Sequence, residues 1–173
     1  DLAIQNVIND TSFVGGVYVE KFENEYANAY GVEHCISCAN GTDAIYITLK
    51  ALGIGSGDEV ITVANSWIST SETITQAGAT PVFVDIDPDY YTIDVSKIEK
   101  KITEQTKAVI PVHLFGQPCN MDAIIAICNQ HNPFLIEDCA QAHFAEWKRK
   151  KVGTMGVAGT FSFFPGKNFG AYG

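Results

Sequence analysis

The chain has 173 residues, 46% of them hydrophobic, which suits one α/β domain with a real core. Eleven basic against twenty acidic residues leave a formal charge of −9, which argues against nucleic acid or an anionic membrane as partner but not against a phosphorylated ligand held by backbone amides. No apolar run approaches the ~20 residues of a membrane span, and the opening DLAIQNVIND lacks the basic and apolar regions of a leader, so the cytoplasm is the expected compartment.

A helical stretch, VEKFENEYANAY (19–30), comes first. Short apolar runs then alternate with helical patterns. The runs are HCISCAN (34–40), EVITV (59–63), TPVFVDI (80–86), KAVIPVHLF (107–115), PFLIEDCA (133–140) and GTFSFF (159–164). They are near-continuously apolar, as expected of strands covered on both faces. Between them lie TDAIYITLKALG, SWISTSETITQAG, DVSKIEKKI and MDAIIAICNQH. In the first of these Ile45, Leu49 and Leu52 recur at helical spacing, and Gly53 supplies the stop. The alternation predicts an α/β fold, a mostly parallel sheet with helices on both faces. Ligands of such sheets sit beyond the carboxyl ends of the strands.

The five cysteines, Cys35, Cys38, Cys119, Cys128 and Cys139, are odd in number and scattered, unlike a secreted disulfide framework. Cys35-x-x-Cys38 has the spacing of a metal or redox pair, but HCISCAN reads as a buried strand and no second pair follows. Structural thiols are expected, and no metal ligands.

Three segments at predicted strand ends carry chemistry. In ANGTDAI, Asn40-Gly41-Thr42 joins a strand to a helix start, where Gly41 permits close backbone approach and the helix end favours an anion. The Thr42 hydroxyl either caps that helix or donates to a phosphate. In LIEDCAQAH, Asp138 stands at the end of a buried run, and such a carboxylate is costly unless something cationic meets it; a salt bridge or helix cap would also serve. Gln141 and His143 follow, either facing the same cleft or, for His143, simply satisfied within a loop. In FSFFPGKN, Ser162 lies within the expected strand, Pro165 and Gly166 turn the chain, and Lys167 emerges at the same edge among Phe163, Phe164 and Phe169. A lone lysine there reads as a solvated loop residue. One held dry by those rings could attack a carbonyl.

Together, an amide-rich anion pocket, a buried carboxylate and a sequestered lysine are the parts that hold pyridoxal phosphate. Trp67, just after EVITV, either stacks on the cofactor ring or packs in the core. GIGSGDE follows a helix and precedes a strand, the reverse of a dinucleotide-binding turn.

In order, FVGG, YGVEHCISCANGTDAI, GIGSGDEVIT, ITQAGATPVFVDID, KAVIPVHLFGQPCNMDAI, LIEDCAQAH and FSFFPGKN resemble the DegT/DnrJ/EryC1/StrS family of pyridoxal-phosphate-dependent sugar aminotransferases, of the aspartate-aminotransferase-like fold. The resemblance runs over essentially the whole chain. It implies that Lys167 forms the Schiff base, that Asp138 pairs with the pyridine nitrogen, and that Gln141 bonds near the ring hydroxyl. It implies further that Gly41, Thr42 and Ser162 bind the phosphate and that Trp67 stacks on the ring. The activity implied is transfer of an amino group from glutamate to a keto sugar on a nucleoside diphosphate, in amino-sugar and polysaccharide biosynthesis, by a homodimer. SFFPGKN with Gln141 is closer to enzymes that aminate a 3-keto than a 4-keto sugar. Other outcomes are a catalytically silent subunit or regulator, and amination of a non-nucleotide ring ketone. Departures are Phe144 after the QAH histidine and the basic cluster Lys148, Arg149, Lys150, Lys151, expected as a solvated turn. The family runs on after the lysine segment into a further strand and a smaller domain. Residues 1–173 are therefore expected to be a truncated cofactor-binding large domain, poorly folded and inactive alone.

Overall fold

The computed structural model describes residues 2–172 and divides into two compact units at Ser37 and Cys38. The first holds helices α1 (Leu2–Asn9) and α2 (Val17–Tyr30). The predicted helix 19–30 thus starts one half-turn earlier, and α1 was not foreseen. Gly31 ends α2 in the left-handed region (φ 72°), its N–H closing onto the carbonyls of Ala27 and Asn28.

The second unit is a doubly covered sheet. In chain order it contains α3 (Gly41–Ala51), β1 (Glu59–Val63), α4 (Ser69–Ala77), β2 (Thr80–Val84), α5 (Val95–Ile98), β3 (Thr106–Ile110), α6 (Met121–His131), β4 (Phe134–Asp138), a small hairpin β5 (Glu146–Trp147) and β6 (Lys150–Lys151), and β7 (Ala158–Thr160). The sheet order is β2-β1-β3-β4-β7, and every pairing in it is parallel. Pro81 lies in β2, an edge strand, where a missing N–H is tolerated.

Strand alternation sorts the core into two faces. Val60, Ala108, Ile110 and Ile136 pack with Ile45 and Leu49 of α3 and Ile74 and Ala77 of α4. Ile61, Val63, Val109 and Leu135 pack with Ile98 of α5 and Met121, Ile124 and Cys128 of α6. The same alternation sends Glu137 and Asp138, the last residues of β4, to opposite faces. Glu137 follows Leu135 and Asp138 follows Ile136.

Glu137 is fully buried and fully satisfied. Its carboxylate accepts from the amides of Gly153 (2.8 Å), Met155 (2.7 Å) and Gly156 (2.8 Å) and from His113 Nε2 (3.2 Å). His113 Nδ1 accepts the Cys119 N–H (3.1 Å), which fixes the proton on Nε2. Burial pushes the Glu137 carboxyl up, but the His113 bond and the Gly153 and Gly156 amides outweigh it and hold the group below its ordinary value. Its stabilising contribution is complete above the unfolded pKa and is lost as pH falls through the folded one. Glu137→Gln would set an NH2 against N–H donors, so a loss of about 3–5 kcal/mol in urea unfolding of the full-length protein is expected. A loss below about 1 kcal/mol would contradict this account.

The structure corrects several expectations. HCISCAN is no strand; it is extended without a ladder partner among the described residues, Ile36 is 83% exposed and Cys38 is exposed. An apolar run becomes a strand only where another strand takes up its N–H and C=O groups. Cys119, Cys128 and Cys139 are the buried free thiols, burial pushing Cys119 up to about 12 and Cys128 up to about 11. In the run KAVIPVHLF the continuous strand β3 ends at Ile110, before Pro111, which has no N–H for the ladder, and contact with β4 returns as a single parallel bridge between Val112 and Asp138. The basic cluster is the expected solvated turn only in its first half: Lys148 and Arg149, exposed and at positive φ (48° and 68°), turn the β5–β6 hairpin, while Lys150 and Lys151 are the strand β6.

Candidate active site

Each chemical group of the site stands where a strand of the second unit ends or a helix begins. Asn40 caps α3: its side-chain oxygen accepts the Asp43 N–H (2.8 Å) and its carbonyl accepts that of Ala44 (3.0 Å). The amides of Gly41 and Thr42 therefore lack intrahelical acceptors and face out from a positive helix end. Thr42 does not cap; its hydroxyl pairs with that of Ser69, 2.8 Å away at the start of α4. A Cβ on Gly41 would come within 2.7 Å of Ser162 Cβ, so only glycine lets α3 meet the segment that leaves β7 this closely.

Ser162 lies past β7 and not within it, because β7 ends at Thr160, paired with the last residue of β4. Freed from the ladder, Ser162 is buried and its hydroxyl faces the α3 end.

Asp138 is 4% exposed. Its main chain is held on both sides, its N–H donating to Pro111 O and its carbonyl accepting from His113 N, both at 3.0 Å. Its carboxylate accepts from Thr70 Oγ1 (2.8 Å) and from the Ala140 amide (3.1 Å). Burial pushes the carboxyl above its ordinary range, against the opposing pull of those two donors, His113 and Lys167. Two donors leave acceptor capacity on a carboxylate that has about four lone-pair sites. A cationic or protonated ring nitrogen is the group such an acid fits.

Asp138, Lys167, Gly41, Thr42, Trp67, Gln141 and Ser162 all line one cavity of about 330 Å³. Trp67 is 71% exposed, which removes the core-packing reading and leaves an indole face open to a ligand. Gln141 Oε1 accepts the Phe115 N–H (2.9 Å), so its NH2 end is left to donate elsewhere. Lys167 is half-buried. The expected wall of three phenylalanines around it is not formed: only Phe164 shares the lining, and Phe163 and Phe169 instead pack on His143 with centroids 4.8 and 5.4 Å away. His143 is the satisfied loop histidine, its Nε2–H donating to Ser162 O (2.9 Å); burial pushes its imidazole below the ordinary value.

Sequence reasoning missed Thr70, which is 2% exposed and donates directly to Asp138. Ser66 pairs with Thr70 (3.1 Å), extending the hydroxyl chain. The hydroxyl-rich stretch SWIST, placed between a central strand and a helix, was the available signal. A second cluster, His113, Glu137 and Cys139, has ligand atoms within 4.8 Å of one another. The bonds already described occupy both His113 nitrogens and the Glu137 oxygens, so it is a structural network.

An anion seat at the α3 end, an acid for a ring nitrogen, an amine and an exposed indole around one cavity fit pyridoxal phosphate. Comparison with known proteins agrees. A pleiotropic regulatory protein of Geobacillus stearothermophilus is 50% identical over 170 residues, 98% of this chain and 46% of that protein. A UDP-N-acetyl-3-dehydro-alpha-D-glucosamine 3-aminotransferase of Acidithiobacillus ferrooxidans is 47% identical over 170 residues, with the same two shares. The crystal structure of NtdA from Bacillus subtilis with bound cofactor PMP matches with a TM-score of 0.93 at 38% identity, covering 98% of this chain and 38% of that one. The chain thus spans about half the length of the curated relatives it matches. Its fold is the aspartate-aminotransferase-like α/β fold. The profile of the DegT/DnrJ/EryC1/StrS aminotransferase family matches residues 1–173, and the chain belongs to that family.

Proposed function

We propose that the full-length protein is a pyridoxal-phosphate-dependent aminotransferase that moves an amino group from glutamate to a keto sugar carried on a nucleoside diphosphate, with the ketone at C3. The observation that carries this reading is the meeting of Lys167, Asp138 and the α3 end around one cavity. The 3-dehydro sugar in the name of the Acidithiobacillus relative supports the C3 assignment. The proposal takes the protein as a cytoplasmic homodimer; among the described residues no helix is long and apolar enough to cross a membrane.

When bound, the cofactor supplies an aldehyde that exchanges amines and a ring that holds the electron pair released at the substrate carbon. Asp138 would accept the pyridine N–H and keep its proton in place, with Thr70 fixing one carboxylate oxygen. The Gly41 and Thr42 amides and the Thr42 and Ser162 hydroxyls would hold the phosphate. Trp67 would cover one ring face, and the Gln141 NH2 would donate to the ring hydroxyl oxygen. Lys167 would carry the aldehyde covalently; once displaced, its Nζ would take and return the proton at the substrate carbon.

A regulator without turnover is the second reading, favoured by the name of the Geobacillus relative. Glutamate decides between them. The cofactor-loaded, full-length protein is expected to lose its visible absorbance on adding glutamate and to regain it with a 3-keto sugar nucleotide in preference to a 4-keto one. A spectrum indifferent to glutamate would leave the regulator.

A further inference from the structure

The turn after β3 presents Phe115 in an unusual state. Its backbone is left-handed (φ 55°), a region that a bulky residue rarely adopts, and its ring is 85% exposed. The chain around it is anchored. Leu114 is buried, His113 is locked between Glu137 and Cys119, and the Phe115 N–H is taken by Gln141 Oε1. Strain and an exposed aromatic ring both oppose folding, and the described residues of the second unit leave this ring almost bare. Such a combination, when over-determined by its surroundings, marks a ligand contact.

The ring opens onto a second cavity of about 480 Å³, lined by Phe115, Gln141, Phe164, Gly166, Lys167 and Asn168. It shares Gln141, Phe164 and Lys167 with the first cavity, so Lys167 stands at their common wall. Its lining offers two exposed aromatic rings, Phe164 on the shared wall and Phe115 on the far side, and the Asn168 carboxamide. That chemistry suits a pyranose, whose C–H face lies against an aromatic ring while its hydroxyls bond to amides.

We propose that this second cavity receives the pyranose ring of the acceptor and that Phe115 is a specificity-determining residue, the platform on which that ring stacks. The inference rests on the aminotransferase reading above. Since the ketone must come to Lys167, the ring that bears it, and not the nucleotide, lies against Phe115. The Gln141 bond transmits the position of Phe115 to the first cavity, which aligns the two sites.

The test uses the cofactor-loaded, full-length protein and follows the glutamate and keto-sugar half-reactions separately by absorbance. Phe115→Ala is expected to raise the half-saturating concentration of the 3-keto sugar nucleotide about 10-fold or more, and that of glutamate less than about threefold. Phe115→Tyr is expected to recover acceptor binding to within about threefold. Phe115→Gly, which suits the left-handed backbone, is expected to melt no lower than wild type while losing the acceptor as the alanine variant does. An unchanged acceptor value in Phe115→Ala overturns this inference alone. So does a loss that is equal for the free nucleoside diphosphate, since the ring would then contact the nucleotide. A wild-type protein that answers to no keto sugar overturns the aminotransferase reading with it.

Discussion

Replacing Lys167 by alanine in the full-length protein is expected to reduce the proposed transamination by at least about 10⁴-fold, the effect of removing a residue that the proposal makes both covalent anchor and acid–base catalyst. Lysine alone among the cavity residues offers an amine, and its neighbours in the lining give no substitute: Thr42 and Ser162 are hydroxyls, Gln141 is an amide, and Asp138 is an acid. The fold should survive, because Lys167 is half-buried and its removal leaves no packed void. Borohydride should fix the cofactor to the wild-type chain and leave the variant unlabelled. Turnover within about tenfold of wild type would remove Lys167 from the mechanism.

Asp138→Asn is expected to act in opposite directions on activity and stability. Losing the negative charge that the proposal sets opposite the ring nitrogen should lower turnover by about 10²- to 10³-fold, the usual effect of removing one preorganised electrostatic partner. With the cofactor removed, the same variant should melt at a higher temperature than wild type at neutral pH. Burial raises the folded-state pKa of Asp138 above its unfolded value. The contribution of such a group is therefore complete below the unfolded pKa and is lost as pH rises through the folded one. At neutral pH the unfolded chain hydrates this carboxylate freely, whereas the native state must bury its charge or bind a proton to it. Asparagine removes that charge and keeps both bonds: its oxygen accepts from Ala140, and its NH2 donates to Thr70, whose hydroxyl turns toward Ser66. The gap should close in acid. A variant that melts below wild type at neutral pH would show that Asp138 stabilises the cofactor-free fold.

The sheet and the helices on its faces were legible because near-continuous apolar runs and helical spacing reflect burial directly, and burial decides those elements. The same logic failed for HCISCAN, whose composition suits a strand but which meets no partner among the described residues. Strand ends were blurred for a related reason. Ser162 belongs to the apolar run of GTFSFF, yet pairing stops at Thr160 where β4 stops, and no local signal in the run announces that. Among the site residues, Asp138, Lys167 and Gly41 stand out through residue type set against surroundings. Thr70 did not, since a threonine in a helix is unremarkable until tertiary packing brings it to 2.8 Å from a buried acid. The turn at Phe115 was equally silent, as a left-handed phenylalanine follows from the bonds of His113 to Glu137 and of Phe115 to Gln141, partners that are remote in sequence.

Glu137 and Asp138 are neighbours on one strand that serve different masters, one clamping the 153–156 loop and the other facing the cavity. Parity of position keeps them apart. One codon inserted ahead of them within β4 would rotate each by half a pleat, turning Asp138 toward the loop amides and Glu137 toward Thr70. Both the clamp and the acid that faces the cavity would be lost in one event. Length change in this strand is thus closed to the chain, while diversification of substrate is left to the turns that follow the strands.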